Sequence, residues 1–169
     1  YNDVRKFGFI KIESTEKIKK NKHLKLLGVE PLSENFNYKY FKNYLNFKKR
    51  LIKDIMMDQK FIAGLGNIYV NEILFSSGIN PMKEVKLIKS SEIKKIIENT
   101  VKILKRSIKK GGSSIKNFND TKGKSGKFQQ EFNVYGRKDE KCLKFNCNGI
   151  IRKTEVSSRA TFYCQSCQK

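Results

Sequence analysis

Residues 57–75 read MDQKFIAGLGNIYVNEILF, and two helical patterns meet inside them. Upstream, RLIKDIMMDQ repeats apolar residues at Leu51, Ile52, Ile55 and Met56 with helical spacing. Downstream, NIYVNEILFSSG reads as a short helix stopped by Gly78, with Pro81 just beyond. Gly64 and Gly66 bracket the tight turn between them, and Asn67 stands where the second helix begins. A helix start presents unpaired backbone N–H groups to an anion, and an Asn side chain adds a donor. Lys60, one turn earlier, would be in reach of the same phosphate. The bland alternative is that Gly-Leu-Gly ends one helix and Asn67 caps the next. Spacing alone leaves the two readings even.

Working outward, NFNYKYFKNYLNF carries aromatics three and four apart and predicts a helix before this pair. After it, a longer helix is predicted from an N-cap at Ser90 or Ser91 to Gly111. Its expected apolar stripe is Ile93, Ile97, Val101, Leu104 and Ile108, with lysines on a solvated opposite face. GGSSIKNFNDTKGKSGKF, residues 111–128, is too long for an ordinary connection and is either functional or disordered. At the other end, VRKFGFIKI predicts a strand, and a charged stretch ending near Gly28 and Glu30 reads as a linker. The expected architecture is mainly α with a small β part.

All four cysteines lie near the end of the sequence, as Cys142-x4-Cys147, a gap of sixteen residues, then Cys164-x2-Cys167. Two disulfides or one tetrahedral metal site would each explain them. Two pairs at this separation suit a zinc ribbon, each pair supplying two thiolates. The segment is too short and too basic for an apolar core of its own, so a metal would supply its folding free energy. The opening YNDVRKFGFI lacks the basic leader and long apolar core of a signal peptide and reads as cut from a longer chain. With no export signal expected, the disulfide reading weakens, because cytosolic thiols stay reduced. One structural zinc is therefore expected.

The chain carries 37 Lys and Arg against 16 Asp and Glu, a formal net charge of +21. That excess points to a polyanion, either nucleic acid or an anionic membrane surface, unless it reflects a lysine-rich compositional bias. No apolar run approaches the ~20 residues of a membrane span.

The run DQKFIAGLGNIYVNEILFSSGINP resembles the helix–two-turns–helix of the formamidopyrimidine-DNA glycosylase family of bacterial base-excision repair enzymes. Other stretches fit in the same order. YNDVRKFG resembles the family's Asp-Pro-Arg-Arg-Phe-Gly segment, departing from it at Val4 and Lys6. LGVEPLSENFN resembles its interdomain linker, and residues 111–142 its lesion-capping loop and the lead into the zinc finger. SSRATFYCQSCQK closes the match, while Cys142 and Cys147 are two residues further apart than in the usual C-x-x-C knuckle.

The resemblance implies residues 1–13 as the end of a β-rich (β-sandwich) catalytic domain and 14–30 as a linker. It implies residues 31–128 as the helix–two-turns–helix domain, with its lesion loop at 111–128, and 129–169 as the β-hairpin zinc finger. It implies phosphate contacts by Lys60, Asn67, Arg159 and Tyr135, and a lesion loop containing Ser113, Ser114 and Phe118. Phe7 would be the wedge that fills the place of an extruded nucleotide, and Arg5 would read the opposite base. Cys142, Cys147, Cys164 and Cys167 would hold the zinc. The implied partner is duplex DNA carrying an oxidised base or abasic site, bound by an intracellular, bacterial, nucleoid-associated monomer with no membrane attachment.

The family's nucleophile is an N-terminal proline amine followed by glutamate, and this sequence opens at Tyr1. No residue here is assigned a catalytic role. The parent is expected to be a bifunctional glycosylase and abasic-site lyase for oxidised purines, and this chain to bind rather than cut. Three alternatives stand beside it: the related endonuclease for oxidised pyrimidines, a non-catalytic damaged-DNA-binding module, and a zinc-ribbon protein of RNA or ribosome assembly.

Overall fold

The computed structural model describes residues 6–113 and 126–169. Among these residues four α-helices appear, in the order α1 (Tyr38–Leu45), α2 (Ile52–Met56), α3 (Asn67–Ser77) and α4 (Ser90–Lys109). They precede an antiparallel hairpin of β1 (Ile151–Val156) and β2 (Arg159–Cys164), registered from Ile151 opposite Cys164 to Val156 opposite Arg159. The mainly helical architecture with a small β part is as the sequence predicts.

Three helix boundaries have a clear local cause. The Asn37 side chain accepts the Tyr40 N–H at 3.0 Å and starts α1. Gly78 ends α3 in the left-handed region at φ 71°, where a Cβ would be strained, and its N–H returns to the Phe75 carbonyl. The start of α4 differs from expectation: Ser90 is already helical, and Lys89 is the capping residue. The Lys89 side chain has no carboxylate or hydroxyl to accept with, so Glu92 reaches back and accepts the Lys89 N–H at 2.8 Å.

Helix α3 is the hub. Val70, Ile73 and Leu74 pack into the main core with Phe41, Ile52, Ile55, Met56, Phe61 and Ile96, while Phe75 faces a second core with Val134, Ile151 and Phe162. One helix thus belongs to both hydrophobic clusters, which is why its sequence is apolar on more than one face.

The buried face of α4 is not the predicted stripe. Ile93, Ile96, Thr100 and Ser107 are buried, whereas Ile97, Val101 and Leu104 are only partly covered and Ile108 is exposed. Thr100 and Ser107 can be buried because their hydroxyls are satisfied. The Thr100 hydroxyl donates to the Ile96 carbonyl at 2.7 Å, and Ser107 shares a 2.7 Å hydrogen bond with the Tyr69 hydroxyl.

The strand expected over VRKFGFIKI is absent over residues 6–12, which run irregularly. A strand needs a ladder of N–H and C=O bonds with a neighbouring strand, and the ladder and bridges among the described residues join other segments. Within the linker, Thr15–Lys20 forms a 3-10 turn. Its far end is strapped to the turn before α3: Gly28 N–H donates to the Gln59 carbonyl at 2.8 Å and Ala63 N–H to the Val29 carbonyl at 3.0 Å. A Cβ on Gly28 would collide with the Phe61 carbonyl, so only glycine permits this approach. No helix among the described residues is long and apolar enough to cross a membrane.

Candidate nucleic-acid interface and metal centre

The turn before α3 is built by two side chains. Asp58 accepts the Lys60 N–H at 3.0 Å and the Arg50 guanidinium at 2.9 Å. Burial opposes ionisation of Asp58, but Arg50 and the Lys60 N–H outweigh it and hold the carboxyl below its ordinary value. Gln59 then spans the glycine turn, accepting the Gly64 N–H at 2.7 Å and donating to the Leu65 carbonyl at 2.9 Å. With Gly64 at φ 82°, the chain turns sharply into Asn67.

The hairpin meets α3 at that point. Ser157 and Ser158, both at positive φ, form its two-residue turn and deliver Arg159 as the first residue of β2. The carbonyl of the next residue, Ala160, accepts from Asn67 Nδ2 at 2.9 Å and from Lys53 Nζ at 3.1 Å. Lys53 also donates to Thr161 Oγ1 at 2.5 Å, and Thr161 in turn donates to the Arg159 carbonyl at 3.0 Å. One residue further, Phe162 N–H donates to Asn71 Oδ1 at 2.7 Å. The first turn of α3 and the hairpin turn are therefore clamped together.

Sequence reasoning missed Lys53, which is buried on the apolar side of α2. Desolvation lowers its pKa, Asp54 opposes the shift and the neighbouring Arg159 charge adds to it, giving about 8. A lysine flanked by Leu51, Ile52, Ile55 and Met56 was the available signal. Two cations and an uncapped helix start, Gly66 offering no side-chain cap, gather within one small region. Such a region attracts an anion with several oxygens.

The other predicted site residues are distributed as follows. Arg159 is exposed and makes no ion pair with a described residue. Asn67 already spends one amide hydrogen on Ala160, leaving the second for a ligand. Lys60 is exposed on the turn. Tyr135 is half-buried, its ring edge-on to Phe132 and Phe162, and its N–H is held by Glu72 at 2.9 Å. Ser113 lies 3.1 Å from the Tyr69 hydroxyl and so is tied to the first turn of α3. Phe7 is 81% exposed on irregular chain. Arg5, Ser114 and Phe118 lie outside the described residues.

Glu72, like Asn71, is a further residue that sequence reading passed over. Buried at 2% exposure, its carboxylate accepts from the backbone N–H groups of Asn133, Val134 and Tyr135 at 2.8, 2.9 and 2.9 Å. This fan of donors anchors the approach to the zinc-finger segment on α3.

The four thiols converge with all ligand atoms within 4.8 Å of one another. Cys142 and Cys167 sulfurs are 3.8 Å apart, and Cys147 and Cys164 sulfurs 3.6 Å. A tetrahedron with metal–sulfur bonds of about 2.3 Å has edges of about 3.8 Å, so the set fits one thiolate-bound metal. No disulfide joins them. Burial raises Cys142 and Cys167, whereas for Cys164 burial is outweighed by N–H donors from Cys167 and Ser166, giving about 7. Four such crowded thiols ionise together only around a cation. The longer first knuckle is accommodated because Asn146 takes φ 56° and Cys147 N–H folds back to the Lys144 carbonyl at 3.0 Å.

Residues 27–119 match the formamidopyrimidine-DNA glycosylase H2TH domain. A formamidopyrimidine-DNA glycosylase of Prochlorococcus marinus is 42% identical over the whole chain, which covers 58% of that protein. The Lactococcus lactis Fpg in complex with DNA containing an abasic site superposes at TM-score 0.90 with 39% identity, over 99% of this chain and 60% of that one. A mutant of the same L. lactis protein, bound to Fapy-dG-containing DNA, matches with the same TM-score, identity and coverage. The chain thus spans about 60% of the length of the relatives it matches. It belongs to the formamidopyrimidine-DNA glycosylase family, corresponding to the helix–two-turns–helix and zinc-finger part.

Proposed function

We propose that this chain is the DNA-gripping part of a glycosylase and abasic-site lyase for oxidised purines, and that its clamp at Ala160 holds the phosphates around the lesion. The observation that carries this reading is the convergence of Asn67, Lys53 and Arg159 on the two turns of residues 64–67 and 157–160. A phosphodiester there would receive N–H groups from the start of α3, the second amide hydrogen of Asn67 and the fork of Arg159. Lys60 and Tyr135 would contact neighbouring phosphates. Ser113, Ser114 and Phe118 would belong to the loop over the lesion, with Arg5 and Phe7 on the opposite-base side. The relatives bound to abasic-site and Fapy-dG DNA support damaged duplex as the ligand.

Zinc in the four-thiolate site would supply folding free energy and no step of chemistry. The domain division expected from the sequence stands with this proposal, as do a monomeric state and an intracellular location. The family's Pro-Glu nucleophile pair does not occur in these 169 residues in a position to act. The 169-residue polypeptide therefore binds an abasic duplex without opening its sugar.

The test combines anisotropy and borohydride trapping on duplex DNA carrying an abasic site or 8-oxoguanine paired with cytosine. Expected is saturable binding, with neither base release nor a covalent adduct. A trapped adduct formed by the polypeptide alone would refute the division of labour, and absence of any duplex binding would refute the grip.

A further inference from the structure

A second surface lies at the other end of α4. Between the end of α1, the chain after it and the 3-10 turn Val85–Leu87 runs a groove of about 490 Å³. Its floor is aliphatic: Leu45, Val85 and Ile93 are buried and Ile88 partly so. Its rim is basic, with Lys42, Lys48, Lys49 and Lys86. Lys86 is paired with Glu84, but no described carboxylate pairs with Lys42, Lys48 or Lys49, and Lys48 rests 4.4 Å above the Tyr44 ring. No acidic residue lines the groove. Phe47 stands on the rim fully exposed, in the left-handed region at φ 61°. Holding a phenylalanine there costs conformational energy, and it keeps an apolar ring in water beside an apolar floor.

We propose that this groove docks an acidic peptide segment of a partner protein, with one aromatic or aliphatic side chain of the peptide seated on Leu45, Val85 and Ile93 against Phe47. Carboxylates of the peptide pair with Lys42, Lys48 and Lys49. The chemistry separates this from nucleic-acid binding. Phosphates need the lysines but not a concave aliphatic floor, and a stacked base needs a platform of aromatic faces that a single Phe47 does not provide. The place separates it too. Ile93 lies about 21 Å along α4 from Ser107, at 1.5 Å per residue, and Ser107 is the end bonded to Tyr69 in the first turn of α3.

The experiment uses the zinc-loaded chain and a fluorescein-labelled dodecapeptide in which a Phe-Leu pair is flanked by Asp and Glu. The comparison peptide carries Gly-Gly in place of that pair. Expected are saturable binding of the first and a loss of about tenfold for the second. Expected also is a comparable loss with the Lys42→Glu, Lys49→Glu double variant and with Phe47→Ala. The charge-matched Lys95→Glu, Lys102→Glu variant, altered on another face of α4, should bind as the parent does. Equal binding of both peptides, or equal loss in both double variants, would reduce the effect to net charge and overturn the proposal. Displacement by oligothymidylate would reassign the groove to single-stranded nucleic acid. A concentration-dependent dimer abolished by Phe47→Ala would reassign it to self-association.

Discussion

Lys53 on α2 and Asn67 at the start of α3 donate to one and the same carbonyl oxygen, that of Ala160, at 3.1 and 2.9 Å. A peptide carbonyl has two lone pairs, and both are used. The hairpin turn is thereby fixed against both helices of the pair, and Arg159 is placed by backbone geometry rather than by contacts of its own side chain.

Burial of the Lys53 ammonium has a measurable cost. Its pKa is about 8 in the fold against 10.5 for the ordinary side chain, so between these values the native state binds fewer protons than the unfolded state. Stability therefore rises with pH through that window, and the cost is complete below about pH 8. Lys53→Met keeps the packing while Asn67 still serves Ala160. Its stability should equal or exceed the parent's by up to about 3 kcal/mol below pH 8, with the difference shrinking toward pH 10.5. Denaturant titrations at several pH values decide it, and a pH-independent difference would show that folding leaves the Lys53 pKa at its ordinary value. The same variant should bind duplex DNA more weakly, since a cation next to Arg159 is lost.

Glu72→Gln retains size but replaces one of the two accepting oxygens with an NH2 group, which donates and cannot accept an N–H. Asn133, Val134 and Tyr135 currently share that carboxylate. A loss of about 2–4 kcal/mol is expected in urea unfolding, with faster hydrogen exchange at the Val134 and Tyr135 amides. Unchanged exchange at those amides would show that the fan of bonds is not what anchors the segment.

Metal analysis of the purified chain should give one zinc per molecule. Chelation, or Cys164→Ser, should melt the hairpin, because the apolar cluster beneath it is built partly from the thiols themselves. The helices should survive at a lower melting temperature. The Asn71 bond to Phe162 and the Gln168 bond to the Ile79 carbonyl couple α3 to the metal site. Circular dichroism with and without chelator measures this; an identical helix melt in both would mean the two parts are uncoupled.

Much of this architecture was legible in the residues. The spacing of Leu51, Ile52, Ile55 and Met56, the Gly64–Gly66 turn and the Gly78 stop placed α2 and α3, and the cysteine spacing placed the metal site. The face of α4 was not legible, since periodicity cannot choose between adjacent stripes when Thr100 and Ser107 are buried through bonds to Ile96 and Tyr69. Nor was the irregular course of residues 6–12, whose β-like composition says nothing about whether a pairing partner is at hand. Within the site, Arg159, Asn67 and the cysteines were readable as motifs. Lys53, Asn71 and Glu72 were not, because each looks like an ordinary helix residue until its partner from a distant segment is known.

The most direct test of the phosphate-grip reading is the salt dependence of duplex binding by the parent and by Arg159→Ala. Arg159 is exposed, so the substitution leaves the fold intact. The parent's log affinity should fall linearly with log salt, by about 0.9 per neutralised phosphate. Arg159→Ala should bind more weakly on every duplex sequence, with a slope shallower by about one such contact. Equal affinity and equal slope for the two proteins would contradict the account, because the residue presented by the clamp at Ala160 would then touch no phosphate.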